Sequence, residues 1–195
     1  MMSLPNTIVF LENHYIQLIG KKLGKDRTYD MNQLAITFSK QEGYWCKKVY
    51  LYTAPPYQSP KPTQDEKIRK ASYDKFLYYM KKIPNFLVRE GRCQKLDCKY
   101  SEKGVDTLMT TDLVLLPHEH NDIKTIIVVT CDTDFVPVLN KLRTECNINV
   151  ILYYYSDFKR RSKFSMSNHL FTVCDKKVLI TKEHFEKSLR IKINK

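Results

Sequence analysis

The sequence predicts an α/β protein built on a doubly wound, mainly parallel sheet of about five or six strands. Three observations predict it. Residues 126–130 run without a charge and are mostly β-branched, short enough for a strand buried on both faces. Comparable stretches occur at 7–11 and 149–155. Between the strand-like stretches lie segments whose apolar residues recur at helical spacing, and strands alternating with helices build parallel sheets.

Taken in order, residues 7–11 form a first buried strand that ends at Glu12-Asn13. Ile16, Ile19 and Leu23 then suggest a helix closing near Gly24, and Leu34, Ile36 and Phe38 continue the helical layer. Residues 48–53 are rich in β-formers and are broken by Pro55-Pro56, and 57–62 reads as a loop long enough to act as a flap. A helix at 65–82, interleaving Lys with Tyr, ends at Pro84. Residues 85–90 read as a strand near a sheet edge. The spacing predicts a helix over 102–116, stopped by Pro117, with His118-Glu119-His120 in a polar loop after it. The strand at 126–130 feeds a helix through Asp132-Thr133-Asp134, and 149–155 is another strand. A weak strand at 177–180 lies between short helices at 167–174 and 182–189. The 195 residues, 43% of them hydrophobic, suffice for one core and a single domain over 1–195, its core at about 7–182 and a basic helix at 182–195.

The formal net charge is +12, which favours polyanions such as nucleic acid. Residues 156–195 hold 11 Lys or Arg against 4 Asp or Glu, and 61–103 is a second basic region. No apolar run approaches the ~18 residues of a membrane span, and the N-terminal residues lack the pattern of a signal peptide. The expectation is a cytoplasmic protein with no membrane partner. The six cysteines form no C-x-x-C pair, so they are read as reduced thiols, mostly buried. There is no P-loop, G-x-G-x-x-G or G-x-S-x-G, which argues against an NTPase, a dinucleotide enzyme or a serine hydrolase.

Against this basic background the acids stand out. Asp132 and Asp134 follow the most buried strand, at the sheet edge where parallel α/β proteins bind ligands. Capping of the next helix by Asp132 or Thr133 accounts for part of the pair. On a helical wheel, Asp112 falls inside the apolar stripe of Val105, Leu108, Met109 and Leu116, and Asp106 lies on its border. A carboxylate on a buried face needs a hydrogen-bonding partner, an ion pair or a cation. Either Asp112 caps a loop inside the core, or its helix brings one or two acids towards the Asp132 turn. Such an acidic pocket suits Mg²⁺ or Mn²⁺, and a basic exterior around it suits a phosphodiester substrate hydrolysed by metal-activated water.

These residues carry a resemblance. Lys103-Gly104-Val105-Asp106 followed by Asp112-Leu113, with Thr130-Cys131-Asp132-Thr133-Asp134-Phe135 and Pro137, resembles the NYN domain, more narrowly its LabA/DUF88 branch, a PIN-like nuclease fold. The stretches at 9–13, 52–56, 86–92 and 167–175 fit too. The resemblance implies a three-layer α/β/α PIN-like domain that cleaves single-stranded RNA with Mg²⁺ or Mn²⁺. It implies a catalytic and metal-binding set of Glu12, Asp106, Asp132 and Asp134, with Asp112 as a further candidate and Asn13, Thr130 and Thr133 as polar helpers. Two positions depart from the family pattern. Glu12 stands in place of Asp and reaches one methylene further. Cys131 stands in place of Gly, where a side chain could require a different backbone angle or crowd the pocket.

Around that set, Lys159, Arg160, Arg161 and Lys163 follow the strand at 149–155 and are candidates for the substrate backbone. Lys103 and Arg92 are further phosphate candidates, and His14 a candidate for positioning substrate. A competing expectation is a PIN-like module that binds RNA or a protein partner without cutting. A phosphotransferase using Asp132 as nucleophile ranks below both. A homodimer is compatible with the sequence without being indicated by it.

Overall fold

The fold is that of a computed structural model, which describes residues 3–26, 28–96, 99–157, 162, 164 and 167–189. Six parallel strands form one sheet. They are β1 (Asn6–Glu12), β2 (Trp45–Thr53), β3 (Phe86–Glu90), β6 (Thr125–Val129), β7 (Asn149–Tyr154) and β8 (Lys176–Leu179), in the order β3-β2-β1-β6-β7-β8. β4 (Arg92–Leu96) and β5 (Lys99–Lys103) form a separate antiparallel hairpin. The helices are α1 (Asn13–Lys22), α2 (Met31–Gln41), α3 (Gln64–Met80), α4 (Val105–Glu119), α5 (Val136–Thr144), α6 (Asn168–Thr172) and α7 (Lys182–Glu186). This is a three-layer α/β arrangement, the expected fold class.

The period-2 alternation of the central strands divides the core. Ile8, Phe10, Tyr50, Tyr52, Ile126, Val128, Val150 and Leu152 pack on one face with Val105, Met109 and Leu113 of α4 and Leu139 of α5. Val9, Leu11, Val49, Leu51, Ile127, Val129, Ile151 and Tyr153 pack on the other with Ile16 of α1, Phe38 of α2 and Phe185 of α7. Burial on both faces explains why these strands read as continuous apolar runs. The chain lays β1, β2 and β3 outward in one direction and β6, β7 and β8 in the other. The sheet therefore reverses its winding between β1 and β6, the point beyond whose strand ends open α/β sheets form their ligand crevice.

Several boundaries differ from expectation. Glu102 and Lys103 belong to β5, not to the next helix, because Gly104 (φ +80°) turns the chain just before α4 begins. The hairpin itself was not anticipated. Its strands are mostly polar and carry no apolar alternation to announce them. Pro117 lies inside α4, with His118 and Glu119 helical after it. So close to the helix end a proline forfeits little of the hydrogen-bond ladder, and the His120 N–H still closes on the Leu116 carbonyl at 2.9 Å. The C-terminal helix is short, α7 ending at Glu186, and Leu189 then pairs with Tyr29 in an antiparallel bridge. Residues 190–195 lie outside the described set. Of the described cysteines only Cys174 is fully buried.

Asp112 illustrates how the core accommodates a carboxylate. It is 6% exposed. Arg89 of β3 meets it bidentately, Nε donating to Oδ2 at 2.9 Å and Nη2 to Oδ1 at 2.7 Å, while the Tyr52 hydroxyl donates to Oδ2 at 2.9 Å. Tyr52 is held by the stacked aromatic run of Phe10, Tyr50 and Tyr52. The Arg89 side chain is 37% exposed, so the two partners are unequal. Arg89→Ala strands a buried carboxylate and should cost about 3 kcal/mol. Asp112→Ala leaves a guanidinium that can reach water, and should cost less. Urea unfolding of the two variants checks this order.

Candidate active site

Parallel pairing places Leu11 opposite Val129, so the next residues, Glu12 and Thr130, leave the sheet side by side. Thr130 is fully buried. Its hydroxyl donates to Glu12 Oε2 at 2.7 Å and accepts from the Asp132 backbone N–H at 3.0 Å. One side chain thus ties the end of β1 to the turn after β6. Asp132 caps a single 3₁₀ turn, Thr133–Phe135, its Oδ1 accepting from the Asp134 N–H at 2.9 Å. Of the two residues expected to cap this turn, Asp132 does so. Phe135 is buried beneath the turn and Pro137 opens α5.

The third strip of the site is the junction of β5 with α4. Gly91 is essential to its placement: a Cβ there would meet the Lys103 carbonyl oxygen at 2.5 Å and Val105 Cγ2 at 2.8 Å. That close approach seats the K-G-V-D segment against the end of β3 and brings Asp106, in the first turn of α4, to the crevice. A groove lined by Asp106 and Asp134, with Thr107, Thr110, Thr111 and the exposed Val114 and Leu115, continues along α4.

The electrostatics show which acids act on one another. The Glu12 carboxyl is raised from an ordinary 4.5 to about 7. Burial is the main cause; the Thr130 hydrogen bond opposes it, and the charges of Asp132, Asp106 and Glu102 add to it. Asp106 is raised by desolvation and by Asp132 and Asp134, with Lys103 opposing. Glu102 is raised by desolvation, with His14 opposing and Asp106 adding. Glu102 is thus a fifth acid of the cluster. Sequence reasoning missed it by assigning it to a helix, and its position two residues before Gly104 was the available signal.

Other predicted residues are placed as follows. Asn13 is buried, donating to Thr53 Oγ1 at 2.8 Å and accepting from Gln17; it braces β1 against β2. Thr133, His14, Lys103 and Arg92 are exposed, and Lys103 pairs with Arg92 across the base of the hairpin. Asp112 is not brought to the crevice acids; it serves the Arg89 ion pair inside the core. Lys159, Arg160, Arg161 and Lys163 lie outside the described residues. Cys131 does not impose a left-handed backbone: among the described residues only Asn85 and Asn147 combine a side chain with positive φ. Its thiol is pushed up to about 12, by burial first and then by Glu12 and Asp132, so it stays protonated and is a poor nucleophile or metal ligand at neutral pH.

The donor set at the crevice is all oxygen, which suits a hard cation. Among the described residues no three His, Cys, Asp or Glu side chains stand close enough to enclose a metal ion between them. An ion such as Mg²⁺, which takes one or two carboxylates and keeps much of its water, fits the chemistry of Glu12, Asp132 and Asp106.

A family model, the NYN domain, matches residues 6–180. The chain belongs to the NYN domain family. NYN domains are PIN-like nuclease domains, and the matched span runs from β1 to the end of β8. Among solved structures, a Vibrio parahaemolyticus protein of unknown function is similar over 97% of this chain and 100% of its own, with a TM-score of 0.60 and 14% identity. At that identity the likeness speaks for the fold alone. No curated protein matches the sequence. No helix among the described residues of this NYN domain is long and apolar enough to cross a membrane.

The raised Glu12 gives a signed stability prediction. Its folded pKa lies above its unfolded value, so the native state binds the extra proton. The associated stability is complete below the ordinary carboxylate value and is lost as pH rises through the folded one. Glu12→Gln removes that loss. In EDTA the variant should match wild type near pH 4 and exceed it by roughly 1–3 kcal/mol near pH 8, as measured by urea unfolding at both pH values.

Proposed function

We propose that this NYN domain is a metal-dependent endoribonuclease acting on single-stranded RNA, within the LabA/DUF88 branch to which its K-G-V-D and Asp-Thr-Asp-Phe segments are similar. The observation that carries the reading is the placing of Glu12 after β1, Asp132 after β6 and Asp106 at the start of α4, where the sheet reverses its winding, close enough that the charge of Asp132 acts on both of the others and that of Asp106 on Glu12. Carboxylates in mutual repulsion inside a chain of net charge +12 are arranged for a cation and for a polyanion.

Asp132 and Asp106 are the residues to hold the cation, with Glu12 and Asp134 beside them. A bound Mg²⁺ or Mn²⁺ would supply Lewis-acid activation of water and stabilise charge on the phosphate. The chain's own residues do the rest. Thr130 and the capped turn fix the orientation of Glu12 and Asp132, so little reorganisation is needed when substrate arrives. The Glu12 carboxylate, held by Thr130, can accept the proton of the attacking water. Lys103 and Arg92 at the hairpin base offer cationic contacts to the phosphodiester, and Lys159, Arg160, Arg161 and Lys163 are proposed to extend them along the strand. Asp112 is left out of the chemistry; it positions α4, and with it Asp106, through Arg89.

A second reading has an observation in its favour. No three acids are gathered around one ion position among the described residues, as suits a module that holds RNA without cutting it. One experiment separates the two. Labelled single-stranded RNA is incubated with Mn²⁺, Mg²⁺ or EDTA and wild type, Asp132→Asn or Asp106→Asn. The nuclease reading expects metal-dependent products from wild type, a loss of at least about 100-fold in each variant, and variants that melt no lower than wild type. RNA that is bound but left intact by wild type under all conditions would support the binding module instead.

A further inference from the structure

The β4–β5 hairpin stands apart from the main sheet, yet its base is at the site, because only Gly104 and Val105 separate Lys103 from Asp106. Successive side chains of a strand alternate in direction, so Glu102 and Tyr100 share one face of β5. Their cross-strand partners on that face are Cys93 and Lys95. The hairpin base joins α4 two residues before Asp106, and the face of Glu102, whose charge acts on Glu12, carries Tyr100 and Lys95 one rung, roughly 7 Å, further out. Tyr100 is 53% exposed. Lys95 Nζ lies 5.6 Å from its ring centroid, and Tyr57, from the loop after β2, meets it at 5.7 Å between centroids and 51° between planes.

Tyr57 is not on a loose flap. Gln58 donates to the Glu66 carbonyl at 2.8 Å and Ser59 Oγ to Glu66 Oε2 at 2.7 Å, with Glu66 itself buried at the capped start of α3. An exposed aromatic ring, buttressed by a second ring and accompanied by an ammonium, is the combination by which proteins hold unpaired nucleobases: the ring stacks on the base and the cation meets the adjoining phosphate.

We propose that Tyr100, backed by Tyr57 and accompanied by Lys95, is a stacking subsite for an unpaired base of a single-stranded nucleic acid whose backbone continues into the acidic crevice. The proposal deepens the nuclease reading and rests on it for the direction of the strand. A base held on Tyr100 requires that the nucleotide be unstacked from a partner strand, so the subsite selects single-stranded over duplex substrate at a position next to the chemistry.

The test is binding in EDTA, where metal-dependent cleavage is off, by fluorescence anisotropy of a labelled single-stranded RNA. Tyr100→Ala should weaken binding roughly 5- to 100-fold and Tyr100→Phe by less than about twofold. Lys95→Ala should lower the slope of log affinity against log salt by about one. An abasic strand of the same length and charge should bind wild type as weakly as the base-bearing strand binds Tyr100→Ala. That last comparison uses wild type alone and stands even if Tyr100→Ala misfolds. Equal affinity of wild type for abasic and base-bearing strands, or of wild type and a folded Tyr100→Ala for RNA, overturns the subsite. A wild type that binds no RNA, either in EDTA or with Mg²⁺ present, overturns it too. Nuclease activity is read separately in cleavage: a stacking signature without cleavage sinks the nuclease reading and keeps the subsite, and cleavage without the signature does the reverse.

Discussion

Glu12 at the end of β1, Asp132 after β6 and Asp106 at the start of α4 stand near enough that the charge of Asp132 raises the pKa of both others. Among the described residues Lys103 and His14, at the rim, oppose this crowding, Lys103 for Asp106 and His14 for Glu102. A fold does not assemble such repulsion for its own stability, since a carboxyl driven to about 7 represents free energy lost at neutral pH. Much of the surrounding structure holds the acids in place. Strand pairing aligns Leu11 with Val129, Thr130 clamps the two strand ends, Gly91 permits the close approach of the β5–α4 junction, and the Arg89–Asp112 pair fixes α4 against β3.

The charge distribution then has two scales. At long range the chain is strongly basic, which draws in a polyanion and depends on salt. At the crevice it is acidic, which would repel that polyanion unless a divalent ion intervened. The hairpin bridges the scales: Arg92 and Lys103 at its base, Lys95 and Tyr100 farther out, and the charge of Glu102 felt by Glu12. The two departures from the family pattern fit without strain. Glu12 finds a hydrogen-bond donor in Thr130 at its longer reach, and Cys131 keeps an ordinary backbone and a protonated thiol.

Much of this was legible in the sequence, for definite reasons. Strands buried on both faces must be apolar throughout, so 7–11 and 126–130 declared themselves, and the acids after them were placed by the rule that parallel strands point their carboxyl ends at ligands. The buried place of Asp112 followed from helical periodicity. Its partner did not: Arg89 lies on a different element, and sequence carries no signal for which of many cations crosses to a given acid. The hairpin escaped because Arg92–Leu96 and Lys99–Lys103 bury too little to leave a pattern, and Glu102 escaped with it. Pro117 misled because a rule about helix interiors was applied in a last turn, where its cost is small.

The central claim is that the acids of the crevice repel one another more than the described residues around them offset, and that a divalent cation is what balances them. Its most direct test is an NMR titration of the Glu12 side-chain carboxyl, assigned through Glu12→Gln, with EDTA and then with Mg²⁺. The account predicts titration near 7 without metal and a fall towards or below the ordinary carboxylate value when Mg²⁺ is added. A Glu12 that titrates at an ordinary value in EDTA, or whose titration Mg²⁺ leaves unmoved, would contradict it.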